Sequence, residues 1–91
     1  MTVKITRIEV TKKRTVLKVD GKLLNGDADL LEHAFDLLEK KESVEIDMSG
    51  ITFIDSDSAS AIRRLERKGA KLTKVNFFIK TIIESTTNGN R

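Results

Sequence analysis

The chain has 91 residues, 38% of them apolar and 34% charged, with a formal net charge of +3. That length makes one small domain, which buries roughly two-thirds of its unfolded surface. It has no cysteine and a single histidine, His33, which excludes disulfides, thiol chemistry and any metal site built from Cys or from several His.

Val3, Ile5, Ile8 and Val10 sit among polar neighbours, which predicts a strand over Val3–Val10 with one irregularity. The interleaved Lys4, Arg7 and Glu9 are unlike a signal peptide. No apolar run approaches the roughly 18 residues of a membrane-spanning helix, and the expected compartment is the cytoplasm. Thr11-Lys12-Lys13-Arg14 reads as a charged hairpin tip, and Thr15–Val19, rich in β-branched residues, as a second strand pairing antiparallel with the first. Asp20-Gly21 and Asn25-Gly26-Asp27 read as loop. A first helix starts with Asp27 as N-cap. Its apolar stripe is Leu30, Leu31, Ala34, Phe35, Leu37 and Leu38. Asp29 and Glu32 near its start and Lys40 and Lys41 at its end suit the macrodipole.

In Ser43–Ser49, Val44, Ile46 and Met48 alternate with Glu45 and Asp47. This is a strand with one face covered and the other at least partly wet. Thr52–Ile54 is a short apolar step, and a second helix starts within Asp55–Ser58. Ala59, Ala61, Ile62 and Leu65 supply its apolar stripe and Gly69 its C′ residue. Lys71–Val75 is a short strand, and Phe77, Phe78, Ile79, Ile82 and Ile83 mark a third helix. Ser85–Arg91 is polar and aperiodic, a flexible tail by composition, which leaves a single domain over residues 1–84. The order β-β-α-β-α-β-α predicts an α/β fold: a small mixed sheet of about four strands, an N-terminal hairpin followed by βαβ units, with helices mainly on one face.

The most informative stretch is ITFIDSDSAS, Ile51–Ser60: an apolar run, then two carboxylates and three hydroxyls, then a helix. A helix N-terminus has unpaired N–H groups and favours negative charge. The same residues serve ordinary capping, with Ser56 as N-cap and Asp57 as a first-turn acid. A third reading is a small phosphoryl-transfer enzyme using Asp55 and Asp57 with Mg²⁺. Against it, only Glu66 and Glu84 follow as carboxylates, both in helical segments, so no metal or cofactor is expected. Asn25–Asp29 resembles a calcium loop but has Leu30 where the sharp turn needs Gly. His33 lies opposite the apolar stripe and is a solvated surface histidine. Arg63, Arg64, Arg67 and Lys68, followed by Lys71 and Lys74, form a basic face. That face is either solvated and internally paired, for example with Glu66, or a docking surface for an acidic partner. Nucleic acid is not expected, because no aromatic side chain interleaves with the charges.

Glu45–Ile62 (EIDMSGITFIDSDSASAI) resembles the signature of the STAS domains, typified by bacterial anti-sigma factor antagonists. Asp47 matches the family's strand aspartate, Ser49-Gly50 its turn, and Asp55-Ser56 the start of its D-S-S-G loop. Val16–Leu23 (VLKVDGKL) and Arg67–Asn76 (RKGAKLTKVN) resemble the flanking segments, so the similarity spans about Val3 to Glu84.

The resemblance implies a non-catalytic regulatory module of a bacterial or archaeal cytoplasm; the sequence leaves its oligomeric state open between monomer and weak dimer. Such a module binds a protein partner through the loop Asp55, Ser56, Asp57, Ser58 and the helix residues Ile62, Arg63 and Arg67. The implied partner is an anti-sigma factor that is also a serine-kinase-like ATPase; the alternative within the family is the ATPase subunit of a lipid or anion transport complex. In the family the kinase phosphorylates the second Ser of the loop, which abolishes binding. Here Asp57 stands at that position and Ser58 stands where the Gly belongs. Asp57 is then either a permanent partial mimic of phosphoserine or part of a switch-free binder, with Ser58 or Ser56 as alternative phosphoacceptors.

Overall fold

The computed structural model describes residues 3–24, 26–38 and 43–88. The elements are β1 (Val3–Thr11), β2 (Arg14–Leu23), α1 (Asp27–Leu37), β3 (Ser43–Ile54), α2 (Ser56–Arg67), β4 (Lys71–Thr73) and α3 (Phe77–Asn88). The strands form one four-stranded sheet in the order β1-β2-β3-β4. β1 and β2 are an antiparallel hairpin, while β2–β3 and β3–β4 are parallel. Each parallel step is bridged by a helix, as parallel pairing requires. This is the mixed α/β sheet that the element order predicts.

A single core forms where Leu17, Val19, Val44 and Ile46 meet Leu31 of α1, Ala59, Ile62 and Leu65 of α2, and Ile79 and Ile83 of α3. The opposite face of the sheet carries Lys18, Glu45 and Asp47 beside Val16 and Ile8. There the side chains of Arg14 and Glu45 join through two hydrogen bonds of 3.0 and 3.1 Å.

Several elements depart from the expectation. Asp20 and Gly21 lie inside β2, paired with Lys4 and Val3 on one side and with Gly50 and Ile51 on the other. Pairing on both sides overrides their turn chemistry. Ser43–Ser49 and Thr52–Ile54 are one strand, β3, whose register against β2 shifts twice. Each shift inserts an extra residue and turns the following side chains over. Met48, Ile51 and Ile54 are therefore all buried despite their spacing of three. Gly50 sits at the first shift, because a Cβ there would overlap the Asp20 carboxylate and lie 3.0 Å from the Val19 carbonyl oxygen.

In α1 the N-cap is Gly26, at φ 92°, and Asp27 is the first helical residue. The Asp27 carboxylate accepts from the Leu24 N–H at 3.1 Å. Ala28 and Leu31 are buried, but Leu30 and Leu37 are 54% and 69% exposed, so the sequence stripe is wider than the core accepts. In α3, Phe77 and Phe78 face solvent at 82% and 57% exposure, and Ile79 and Ile83 do the packing. Asn76 caps this helix, its Oδ1 accepting from the Ile79 N–H at 2.8 Å. α3 runs to Asn88, past Ser85 where the composition suggests a tail. Asn25, Lys40, Lys41 and residues 89–91 lie outside the described residues.

Candidate functional site

The start of α2 sits where the parallel strands β2 and β3 end together. The Asp55 N–H donates to the Leu23 carbonyl at 3.1 Å, tying the end of β2 to the loop leaving β3. Asp55, not Ser56, is the N-cap: its backbone is extended and its Oδ1 accepts from the Ser58 N–H at 2.9 Å. This is the usual N-cap to N3 bond, which satisfies one of the helix's orphan donors. One Asp55 oxygen is thereby committed to holding the helix start. Among the described residues no three His, Asp or Glu side chains stand close enough to hold a metal ion.

The four loop residues separate into two kinds. Ser56 and Asp57 are exposed in the first turn of α2, whereas Ser58 is buried at 1% exposure. Among the described residues the Ser58 hydroxyl oxygen has no hydrogen-bond partner. Ser58 lines the groove beside Asp57 with its side chain buried, so a kinase would reach its oxygen only by opening the first turn. Asp57 lines one wall of a groove of about 320 Å³ between the starts of the two helices, with Gly26 and Asp29 of the α1 start and Ser60 and Arg64 of α2.

Ile62 is fully buried, so it belongs to the core and not to a partner surface. It lies three residues from both Ala59 and Leu65, on the stripe that packs against the sheet. The outward stripe of α2 is instead Ser56, Ser60, Arg63 and Arg67, at i, i+4, i+7 and i+11. Ser60 is the member that the sequence reading missed, although the helical period already places it there.

The basic face divides once its partners are seen. Arg64 pairs with Glu32 at 3.0 Å and Asp29 at 3.8 Å, and Lys68 with Glu32 at 3.0 Å and Asp36 at 3.1 Å. These bridges form an ionic ladder between α1 and α2. The Arg64 hydrogen bond, then that of Lys68, holds the Glu32 carboxyl below its usual range. Arg63 bonds Glu66 at 2.8 Å within α2, and Lys74 approaches Asp47 at 3.7 Å. Arg67 and Lys71 make no ion pair among the described residues. Asp47 itself is buried, which pushes its carboxyl up, but the Ser49 N–H at 2.9 Å and nearby Lys74 and Lys18 outweigh this and hold it low. Its role is to fix the first register shift of β3, at Ser49-Gly50. α2 ends in a Schellman motif: Gly69, at φ 110°, donates to the Glu66 carbonyl and Ala70 to the Leu65 carbonyl.

No curated protein matches the chain by sequence. Among solved structures, the fold is similar to an antisigma-factor antagonist STAS domain from Rhodobacter sphaeroides. That likeness has a TM-score of 0.61 and 26% identity, over 78% of this chain and 83% of that one. It is also similar to the anti-sigma factor antagonist SpoIIAA in its unphosphorylated form. There the TM-score is 0.68 at 12% identity, over 96% of this chain and 84% of that one, a likeness of fold. The model of the STAS domain family matches residues 4–86. With that match running from β1 into α3, and with the same sheet and helices in these solved relatives, the chain belongs to the STAS domain family.

Proposed function

We propose that this STAS domain is a regulatory protein-binding module that docks on a kinase-like ATPase, of the anti-sigma factor type, through the start and outward stripe of α2. Asp57 gives that surface a fixed negative charge where the family carries a phosphorylatable serine. The observation that carries the reading is the position of Asp57: exposed, in the first turn of α2, at the wall of the groove between α1 and α2. Behind it run Ser60, Arg63 and Arg67, which supply polar and cationic rim contacts of the kind that steer and orient a partner. The role involves no bond making. Asp55 is occupied as a cap, and Asp57 carries one charge, against the −1.5 to −2 or so of a phosphoserine.

A carboxylate in this place weakens docking without abolishing it. The test is calorimetric titration of the wild type and Asp57→Ser against a serine-kinase-like anti-sigma factor ATPase from the same organism, followed by mass spectrometry after incubation with that ATPase and ATP. The expected result is binding tightened by about tenfold in Asp57→Ser, and a phosphate gained by that variant alone. Equal affinity of the two proteins overturns the mimic. A phosphate on wild-type Ser56 or Ser58 overturns the fixed charge.

A further inference from the structure

The sheet has two edges of different kinds. β4 is three residues long, an edge too short to template another strand. β1 is nine residues long and, among the described residues, pairs only with β2. Every residue from Arg7 to Thr11 is exposed. The large apolar side chains in that half, Ile8 and Val10, are 43% and 46% exposed. We propose that β1 pairs antiparallel with β1 of a second copy of this chain, about a two-fold axis that passes through Ile8 and stands perpendicular to the sheet.

The order of side chains selects the partner and the register. A two-fold axis normal to the sheet keeps each residue on its own face, so only residues sharing a face oppose each other. The faces of β1 are fixed by β2: Arg7 lies opposite Leu17 and Glu9 opposite Thr15 on the core side, and Ile8 lies opposite Val16 on the outer side. Centred on Ile8, the pairing sets Arg7 against Glu9 of the second copy, and Glu9 against its Arg7. On the outer face Ile8 meets Ile8; the regular alternation of β1 ends at Glu9, because its register against β2 shifts between Glu9 and Thr11. Centring on Arg7 sets like charges together, as does centring on Glu9. Centring on Thr6 sets Arg7 against Ile5 and Lys4 against Ile8. The Ile8 register alone among these sets opposite charges together and covers the exposed Ile8 side chain. Arg7 and Glu9 already associate within one strand at 3.4 Å, both about half exposed. In the pair they exchange partners across the axis, and two four-stranded sheets become one continuous sheet.

Sedimentation of the full chain from micromolar to millimolar concentration reads the association, with circular dichroism confirming that each variant is folded. The wild type is expected to show a monomer–dimer equilibrium. Arg7→Glu weakens it about tenfold, because each of two cross-strand attractions becomes a repulsion. Arg7→Glu combined with Glu9→Arg restores it. The natural chain has no cysteine, so a single introduced thiol reports the register. Opposed Cβ atoms in an antiparallel pair lie about 4.5–5.5 Å apart, near disulfide reach. Ile8→Cys therefore gives a covalent dimer on oxidation, whereas Lys4→Cys stays monomeric. A wild type that is monomeric throughout, an Arg7→Glu variant that associates as the wild type does, a double exchange that fails to restore, or equal cross-linking at both positions each overturns the proposal.

Discussion

Replacing Ser58 by alanine removes a hydroxyl that the fold buries without a hydrogen-bond partner. An unsatisfied polar group in that position costs about 1–3 kcal/mol of desolvation. Alanine also gains about 0.5 kcal/mol as a helix former over serine. Against these stands the lost packing of one oxygen, comparable to a methylene at about 0.8 kcal/mol. The Ser58 N–H still donates to Asp55, so the cap is kept. The net expectation is a gain of about 1 kcal/mol, which for a domain of this size raises the melting temperature by about 4–8 °C. Urea and thermal unfolding of Ser58→Ala beside the wild type measure it. A loss of about 1 kcal/mol or more would show that the hydroxyl is bonded in solution, and the account of this position would be wrong. The same burial means that Ser58→Asp places an unpaired carboxylate in the core, with the opposite and much larger effect.

Gly50→Ala should cost about 1–3 kcal/mol by overpacking: the Asp20 carboxylate can swing aside, but the Val19 carbonyl is backbone and cannot. A urea midpoint identical to wild type would refute the close approach. Because Arg64 and Lys68 lower the Glu32 pKa in the folded chain, its contribution is complete above the ordinary value of 4.5 and is lost as pH falls through the lower folded value. Glu32→Gln should therefore be less stable than wild type at about pH 6, with the two urea midpoints converging near pH 3; a gap constant over that range would count against the ladder.

The element order was readable because each segment keeps one period: two in Val44–Met48, and about 3.6 in Ala59–Leu65. The C-terminus of α2 was readable because Gly69 is followed by Ala70, small and apolar, completing the Schellman pattern. The two shifts in β3 were not readable, since an inserted residue looks like the end of a strand when its partner is unknown. Leu30 and Leu37 were assigned to the core because a stripe shows which face is apolar but not how much of that face a neighbour covers. The sequence placed the start of α2 within Asp55–Ser58, as found, but put the cap one residue late. Asp55 and Ser58 stand at the cap spacing, as Ser56 and Ala59 equally do, and only the backbone geometry separates them. Ile62 was assigned both to the core stripe and to the partner surface, and one side chain on a helix cannot face both ways.

The ionic ladder has a dynamic consequence for α1. This helix buries only Ala28 and Leu31 completely, and much of its hold on α2 runs through Glu32, Asp36 and their cations at the surface. Such bridges are worth little apiece and are screened by salt, while α2 is fastened by five buried side chains. α1 thus detaches at low cost, a flap whose amides exchange with solvent by local opening below the free energy of global unfolding. Ionic strength sets how often the flap lifts, and so how often the wall of the groove beside Asp57 is removed.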